Sequence, residues 1–157
     1  MKPAARLVEA GEYLPALVEL TAQGHTVALT VTGGSMVPFL VHGRDRICFC
    51  RPSAPLKRGD MAFFRRESGE YIMHRVCRVD RQGGYYLVGD AQQAVEGPVP
   101  AEQVFGVVTG VCRKGRWIGP EDFVWKFFAG PWLWLLPARP LLRKFYGALR
   151  RRGGGDG

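Results

Sequence analysis

Short runs of β-forming residues, separated by turn residues, recur through the middle of the chain and constrain its fold more than any other feature. The first run, Thr26–Thr32, alternates with a period of two and is rich in β-branched residues. The later runs are Arg46–Cys50, Met61–Arg65, Tyr71–Val79, Tyr85–Val88 and Val104–Cys112. Runs of this length and spacing are typical of antiparallel strands and not of βαβ units. The sequence therefore predicts a mainly β fold with a coiled, barrel-like antiparallel sheet.

The two flanks of this β-rich region have a different texture. Apolar residues recur at roughly helical spacing before Gly24, interrupted by Gly11 and Pro15, and predict one or two short helices there. At 157 residues the chain is long enough for one domain with a sizeable core. We expect a helical segment in residues 1–24, a β-domain in residues 25–118, and an aromatic, basic arm with a flexible glycine-rich tail in residues 119–157.

The positive charge of the chain is concentrated in that arm. The formal net charge is +8; the stretch Met1–Cys112 holds 12 basic and 11 acidic residues, whereas the rest holds 10 basic and 3 acidic residues. Within the arm, Phe127–Ala138 is an uncharged tract that contains two phenylalanines, two tryptophans and two prolines. It is shorter than the about 20 apolar residues that a membrane-spanning helix needs.

Two interpretations of the arm remain open. Tryptophans favour the headgroup level of a bilayer and basic side chains favour anionic lipid, so Phe127–Ala138 and the basic tail together predict peripheral membrane contact. The alternative is an aromatic arm packed on the β-domain with a solvated tail. Nucleic acid is an unlikely partner on this pattern, because the tryptophans lie in an apolar block and not among the charges.

Other composition signals narrow the function further. Four cysteines with no secretory leader before them are expected to be reduced thiols. The N-terminus lacks an uninterrupted apolar centre, so we expect a cytoplasmic protein, peripheral at the membrane if the arm attaches. No Walker, dinucleotide or zinc pattern is present in the sequence, and no cofactor or metal is expected.

A serine after two glycines, at the end of the first predicted strand, is the first candidate for chemistry. Gly33 and Gly34 allow close backbone approach and free amides, and Ser35 needs a base to become a nucleophile. His74 is the strongest base candidate because it is an ionisable residue inside an apolar strand. A third segment would supply an acid that orients the imidazole, and here Asp90 and Glu96 both remain open.

Taken together, these segments resemble the ordered boxes of the type I signal peptidase family. The boxes are Gly34-Ser35-Met36-x-Pro38, Lys57–Phe64, His74-Arg75-Val76 and Gly89-Asp90, in the family's order and spacing. The chain is similar to the Ser-His branch of that family, which has histidine where bacterial members use lysine. The resemblance, which extends to the wider S24/S26 peptidase superfamily, implies a coiled antiparallel β-domain, a Ser35–His74 mechanism without cofactors, and cleavage of extended precursor or leader peptides bound as an added strand beside Ser35. The residues expected to stabilise the oxyanion or to bind the substrate surround the serine: Thr32, Gly33, Gly34, Met36 and Pro38.

Three departures from the family pattern bear on the site. Gly33 stands where members often have a serine that helps stabilise the oxyanion, which leaves the Ser35 amide and Thr32 for that role. The usual asparagine after Gly-Asp is missing, so the acid is undecided between Asp90 and Glu96. An N-terminal membrane anchor is replaced by the amphipathic helical segment.

Two rival functions follow from these departures. One is a catalytically inert module on the same fold that binds extended peptides. The other is a self-cleaving regulator like the SOS-repressor group, with Ala10-Gly11 as the nearest candidate bond.

Overall fold

The computed structural model describes residues 10–152 and shows a mainly β chain with helices at both ends. The strands are β1 (Val27–Thr30), β2 (Arg46–Cys50), β3 (Met61–Arg65), β4 (Tyr71–Val79), β5 (Tyr85–Val88), β6 (Glu96–Val99), β7 (Val104–Arg113) and β8 (Arg116–Ile118). The α-helices are α1 (Ala10–Ala22), α2 (Phe123–Ala129), α3 (Pro131–Trp134) and α4 (Arg139–Arg152). Short 3-10 helices span Ala101–Gln103 and Leu136–Ala138.

All strands join one antiparallel sheet in the order β1-β2-β7-β3-β4-β5-β6, with β8 added to the end of β7. Register shifts interrupt four of the strand pairs, as between Cys48 and Phe49 in β2 or Val76 and Arg78 in β4. Bulges of this kind bend a strand and increase its twist, which curls the sheet. The prediction of a mainly β antiparallel fold is confirmed, and the sheet is not closed into a barrel.

The predicted strands agree closely with those observed. Four of them, β2 to β5, match residue for residue, because runs rich in β-forming residues are bounded there by clear turns. Strand β6 was not predicted, since Gly97-Pro98 inside it is a typical turn signal. Before Gly24 there is one described helix, which continues through Pro15 and buries Leu14 in the core.

The core lies on both faces of the central strand β3. Met61 and Phe63 face one cluster, which also contains Leu14 of α1 and Trp125 of α2. Ala62 and Phe64 alternate with them and face a smaller cluster around Leu87. Strand residues point alternately to the two faces of a sheet, so burial of four successive residues means that both faces of β3 are covered.

The C-terminal arm packs against the sheet domain. Trp125 and Phe128 of α2 contact Phe39 with ring centroids 6.1 and 4.9 Å apart, and Leu133 of α3 is buried. Helix α2 therefore shares the main core with the strands and α3 packs against it, whereas Trp134 is exposed. Among the described residues, no helix combines the length and apolarity that a bilayer crossing requires.

The three-part division at residues 24 and 118 stays a prediction. Side chains of α1 and of the arm both contribute to the core of the sheet domain. The glycine-rich tail at 153–157 and the first nine residues lie outside the described part of the chain.

Candidate active site

Ser35 lies in a turn that follows β1 and is half-buried. Gly33 has a φ of 78°, a backbone conformation that side chains with a Cβ rarely adopt. Its amide donates a hydrogen bond to Nδ1 of His42 at 3.0 Å. After the serine, Met36 is buried in the main core, which anchors the turn from its other side. The turn is thus held at both ends while the serine between them faces a cleft.

The Ser35 turn docks on the loop that follows β5. The Ala91 amide donates to the Ser35 carbonyl at 2.9 Å. A Cβ added at Gly89 would lie 2.5 Å from the same carbonyl oxygen, closer than real Cβ atoms come, so any other residue would push the two loops apart. The Gly89-Asp90 box therefore contacts the Ser35 turn through its backbone.

His74 lies in β4, opposite Ala62 of β3, and is 4% exposed. Its Nδ1 atom is buried without a hydrogen-bond partner. Burial lowers the pKa of His74 to about 4; the Glu96 carboxylate opposes this shift and the Arg66 guanidinium adds to it. The imidazole is consequently neutral at neutral pH, which is the form that can accept a proton.

One cleft of about 330 Å³ is lined by both Ser35 and His74. Its walls include residues of β1, the Ser35 turn and the first half of β4, and Phe63 and Ile47 contribute apolar surface. A second cavity of about 540 Å³, lined by 91–96 and by Pro140, shares Arg66, His74 and Gln92 with the first. Within the described residues no hydrogen bond joins Ser35 to His74. The structure brings the predicted pair into one cleft without an established hydrogen bond between them.

Asp90 lies in a different environment from the one expected for an orienting acid. It is fully buried, and its two carboxylate oxygens each accept a hydrogen bond from the Arg75 guanidinium at 2.8 Å. Arg75 also donates to the Gly59 carbonyl at 3.0 Å and lies over the ring of Phe39. The side chain of Asp90 is thus engaged by Arg75, and no contact of the described residues links it to His74.

Glu96, unlike Asp90, has an electrostatic effect on the His74 imidazole. Its carboxylate accepts hydrogen bonds from Nε and Nη2 of Arg66, which also pairs with Glu70. The hydrogen bonds from Arg66 lower the pKa of Glu96, with the charge of His74 contributing in the same direction. Glu96 thus acts on His74 through charge, and no hydrogen bond between the two is present in the described chain.

The amides of Gly34 and Ser35 donate no hydrogen bond in the part of the chain that the structure describes. Free amides beside a nucleophile are the groups that can stabilise an oxyanion. Thr32 and Pro38, the other predicted contributors, are exposed on the two sides of the turn. Because Gly33 needs a left-handed backbone, a serine at that position would be strained here.

Sequence reasoning missed three residues that shape the site. His42 accepts a hydrogen bond from the Gly33 amide, and Arg66 lines both cavities beside His74. Arg139 of the arm is 2% exposed and donates to the Gly89 and Gln92 carbonyls at 3.0 and 2.8 Å. No local pattern marks these roles, because each depends on a partner distant in sequence. The described residues contain no cluster of three or more side chains able to hold a metal ion.

Comparison with known proteins gives one match. A family model described as Peptidase S24-like matches residues 3–109, which include the Ser35 turn, His74 and the Gly89-Asp90 loop. No curated protein and no solved structure matches the chain significantly. The match covers more than half of the chain and supports the predicted kinship with S24/S26 peptidases; the Ser-His branch stays a prediction.

Proposed function

The chain belongs to the Peptidase S24-like family, and from that premise we propose that it is a serine endopeptidase with Ser35 as nucleophile and His74 as general base. The observation that carries this proposal is the shared cleft: a turn serine and a buried neutral histidine, 39 residues apart in sequence, line one cavity of about 330 Å³. Family membership alone supports peptidase kinship and does not choose the base.

The proposed chemistry follows from the groups present. His74 takes the proton of Ser35 as the serine oxygen attacks a peptide carbonyl, and the amides of Gly34 and Ser35 stabilise the oxyanion. His74 then gives that proton to the leaving amine, and water hydrolyses the acyl-enzyme with the same base. A base with a pKa of about 4 is a weak one, so its neutral form is available over a wide pH range while its proton affinity is low.

An extended peptide is the substrate shape that the cleft favours. Among the strands of residues 10–152, β1 is at the edge of the sheet and pairs only with β2, and the first half of β4 pairs only with β3. Both unpaired edges, Leu29–Val31 and Tyr71–His74, line the cleft. A peptide that adds as a strand to either edge would lie beside Ser35, with its side chains over Phe63 and Ile47. Precursor or leader peptides are the proposed class of substrate.

A specific observation favours an inert peptide-binding module as the second candidate. His74 Nδ1 has no partner, and no acid of the described chain is hydrogen-bonded to it. In a serine hydrolase such an acid fixes the tautomer of the base. The self-cleaving alternative has less support, since Ala10-Gly11 lies in the first turn of α1 and would have to unfold to bind as an extended strand.

A fluorophosphonate probe tests the proposal directly. We expect covalent labelling of the wild-type protein, located on Ser35 by peptide mass mapping, and none in Ser35→Ala. Ser53→Ala is the matched control, because Ser53 is exposed in the loop after β2 and outside the cleft. Labelling that persists in Ser35→Ala contradicts the nucleophile assignment; peptide binding without any labelling of the wild type favours the inert module.

A further inference from the structure

The most exposed large apolar side chains of the described chain are concentrated in the C-terminal arm. Phe123 is 82% exposed, Trp134 74%, Phe145 73% and Leu141 67%. Isolated exposed apolar residues are normal on a protein surface, but several in one segment mark an interaction surface. Packing of the arm on the sheet domain does not explain why these side chains are apolar and exposed.

Helix α4 carries the part of this surface that is organised by helical geometry. Leu141 and Phe145 are four residues apart and so lie on one face, and Leu142 three residues before Phe145 widens it. We refer to Leu141, Leu142 and Phe145 as the α4 apolar face. Lys144 is exposed beside it. The sequence of α4 contains six basic residues and no acidic residue.

We propose that the α4 apolar face, together with Lys144 and the basic residues that follow it in the α4 sequence, binds an anionic membrane surface, with the helix lying in the plane of the headgroups. Exposed apolar residues in a helix of 14 residues, which is too short to span and whose sequence is rich in basic residues, are the pattern of an interfacial helix. Charge complementarity selects anionic lipid over a neutral protein partner. The α4 apolar face contains a single aromatic side chain, that of Phe145, whereas surfaces that bind single-stranded RNA stack successive bases on several aromatic rings, so its composition favours lipid over RNA.

This assignment moves the contact surface away from the one that the sequence predicted. In the tract Phe127–Ala138, Phe128 and Leu133 are buried in the protein, and Trp132 donates through Nε1 to the Asp90 carbonyl. Those side chains hold the arm on the sheet domain. From that tract, Trp134 remains on the outside, where Arg58 lies over its ring at 4.5 Å.

The start of α4 is fixed beside the candidate active site. Arg139 is anchored to the Gly89 and Gln92 carbonyls, and Pro140 lines the cavity of about 540 Å³ that also contains His74. The next residue, Leu141, already belongs to the α4 apolar face. A membrane held by this face would lie close to that cavity, so the cleft would open near lipid. The proposal does not depend on peptidase activity.

Cosedimentation of the full chain with vesicles tests the proposal. The probes are phosphatidylcholine vesicles with and without phosphatidylserine. We expect binding to the anionic vesicles, weakened at least about tenfold in Leu141→Ser/Phe145→Ser, because each side chain loses its apolar contact. Lys144→Glu should weaken binding by about tenfold, since the local charge changes by two. Trp117→Ser removes an exposed aromatic side chain of β8 and should leave binding unchanged.

Several results would overturn the proposal. These are equal vesicle binding by the wild type and Leu141→Ser/Phe145→Ser, equal binding to vesicles with and without phosphatidylserine, or binding to single-stranded RNA but not to vesicles. Circular dichroism and thermal unfolding of each variant establish that it is folded, which the exposure of all substituted residues leads us to expect. Ser35→Ala should bind vesicles like the wild type, so that failure of this proposal and failure of the peptidase proposal are separate results.

Discussion

His74 and Arg75 are neighbours in β4, both almost fully buried, and their surroundings differ completely. Arg75 has a bidentate carboxylate partner in Asp90, a carbonyl partner in Gly59 and an aromatic ring beneath it. His74 has an unpartnered Nδ1 atom in a cleft. Because successive strand residues face opposite sides of a sheet, the Arg75 side chain lies in the interior as part of an ion pair, and the His74 imidazole lines the cleft with its Nδ1 atom unpartnered.

The Arg75–Asp90 pair supports the structure around the site, whereas the surroundings of His74 leave its imidazole available for chemistry. A buried charge must be paired to be tolerated, so the Arg75–Asp90 pair ties β4 to the loop after β5. That loop, through Ala91 and Gly89, holds the Ser35 turn. A buried polar atom without a partner costs about 1–3 kcal/mol and is rare in folded proteins; the described residues have two, Nδ1 of His74 and Nε of Arg139, and of these His74 lines the cleft with Ser35. We infer that Asp90 acts on the site by position, and His74 acts by chemistry.

The largest effect expected from this comparison is on the labelling of Ser35. His74→Gln should fold and lose labelling by the fluorophosphonate probe about 10²- to 10⁴-fold, because the general base is gone. Asp90→Asn should label at a rate close to that of the wild type when the rate is expressed per folded molecule. Rapid labelling of His74→Gln, or a comparable loss in folded Asp90→Asn, would break the distinction between the two residues.

The second prediction concerns stability and reverses the ranking. Asp90→Ala should lower the free energy of unfolding by about 3–5 kcal/mol, because it leaves the Arg75 guanidinium buried and unpaired. Urea denaturation followed by tryptophan fluorescence measures the change. Glu70→Ala removes an exposed carboxylate paired with Arg66 and should cost at most about 1 kcal/mol.

A second variant covers the case in which Asp90→Ala does not fold. Arg75→Met/Asp90→Leu replaces both charges by apolar side chains and should regain most of the lost stability. If Asp90→Ala is as stable as Glu70→Ala, the buried pair is not the support that we infer.

The third prediction is a pH effect on stability. The folded-state pKa of His74 is about 4 against an ordinary value of 6.5, so below pH 6.5 the unfolded chain takes up a proton that the folded chain refuses. The contribution is absent above 6.5 and destabilises progressively as the pH falls, reaching about 3 kcal/mol near pH 4. His74→Gln should therefore lose less stability between pH 7 and 4 than the wild type. The free energy of unfolding of both proteins is measured by urea denaturation at several pH values. Equal losses between pH 7 and 4 in the two proteins would contradict a buried neutral imidazole.

The smallest effect expected is from the hydrogen bond that holds Gly33. His42→Ala removes the acceptor of the Gly33 amide and should slow labelling of Ser35 by about fivefold, equivalent to about 1 kcal/mol. His42→Asn presents an oxygen near the position of Nδ1 and should restore most of the rate, which a merely structural role of the ring would not do. His25→Ala, at another exposed histidine, is the control. Equal rates in all three variants would remove His42 from the site.

The fold was predictable where local pattern and tertiary context agree. The bounds of β2 to β5 follow from runs of β-forming residues and the turns between them. Strand β6 contains a Gly-Pro pair that locally favours a turn, and its pairing with β5 is a tertiary effect. Helices α2 and α3 of the arm were also missed, because they are short and because the burial of Trp125 and Phe128 depends on packing against Phe39, which is distant in sequence.

The sequence predicted which residues line the candidate site, but it did not predict which of them interact with one another. Ser35 and His74 were singled out by local context, and the structure places both in one cleft. The sequence could not show that Asp90 faces Arg75, since both residues of the pair look like ordinary members of their boxes. Nor could it show the burial of His74, on which the direction of its pKa shift depends.

The pH dependence of Ser35 labelling tests the central claim most directly. Initial labelling rates, measured where the circular dichroism spectrum is native, should rise through a midpoint of about 4 in the wild type. The midpoint should fall further in Glu96→Gln, because the Glu96 carboxylate raises the pKa of His74. A midpoint that stays near 6.5, or a rate that does not depend on pH, would contradict the account of a buried, neutral His74 acting as the base of Ser35.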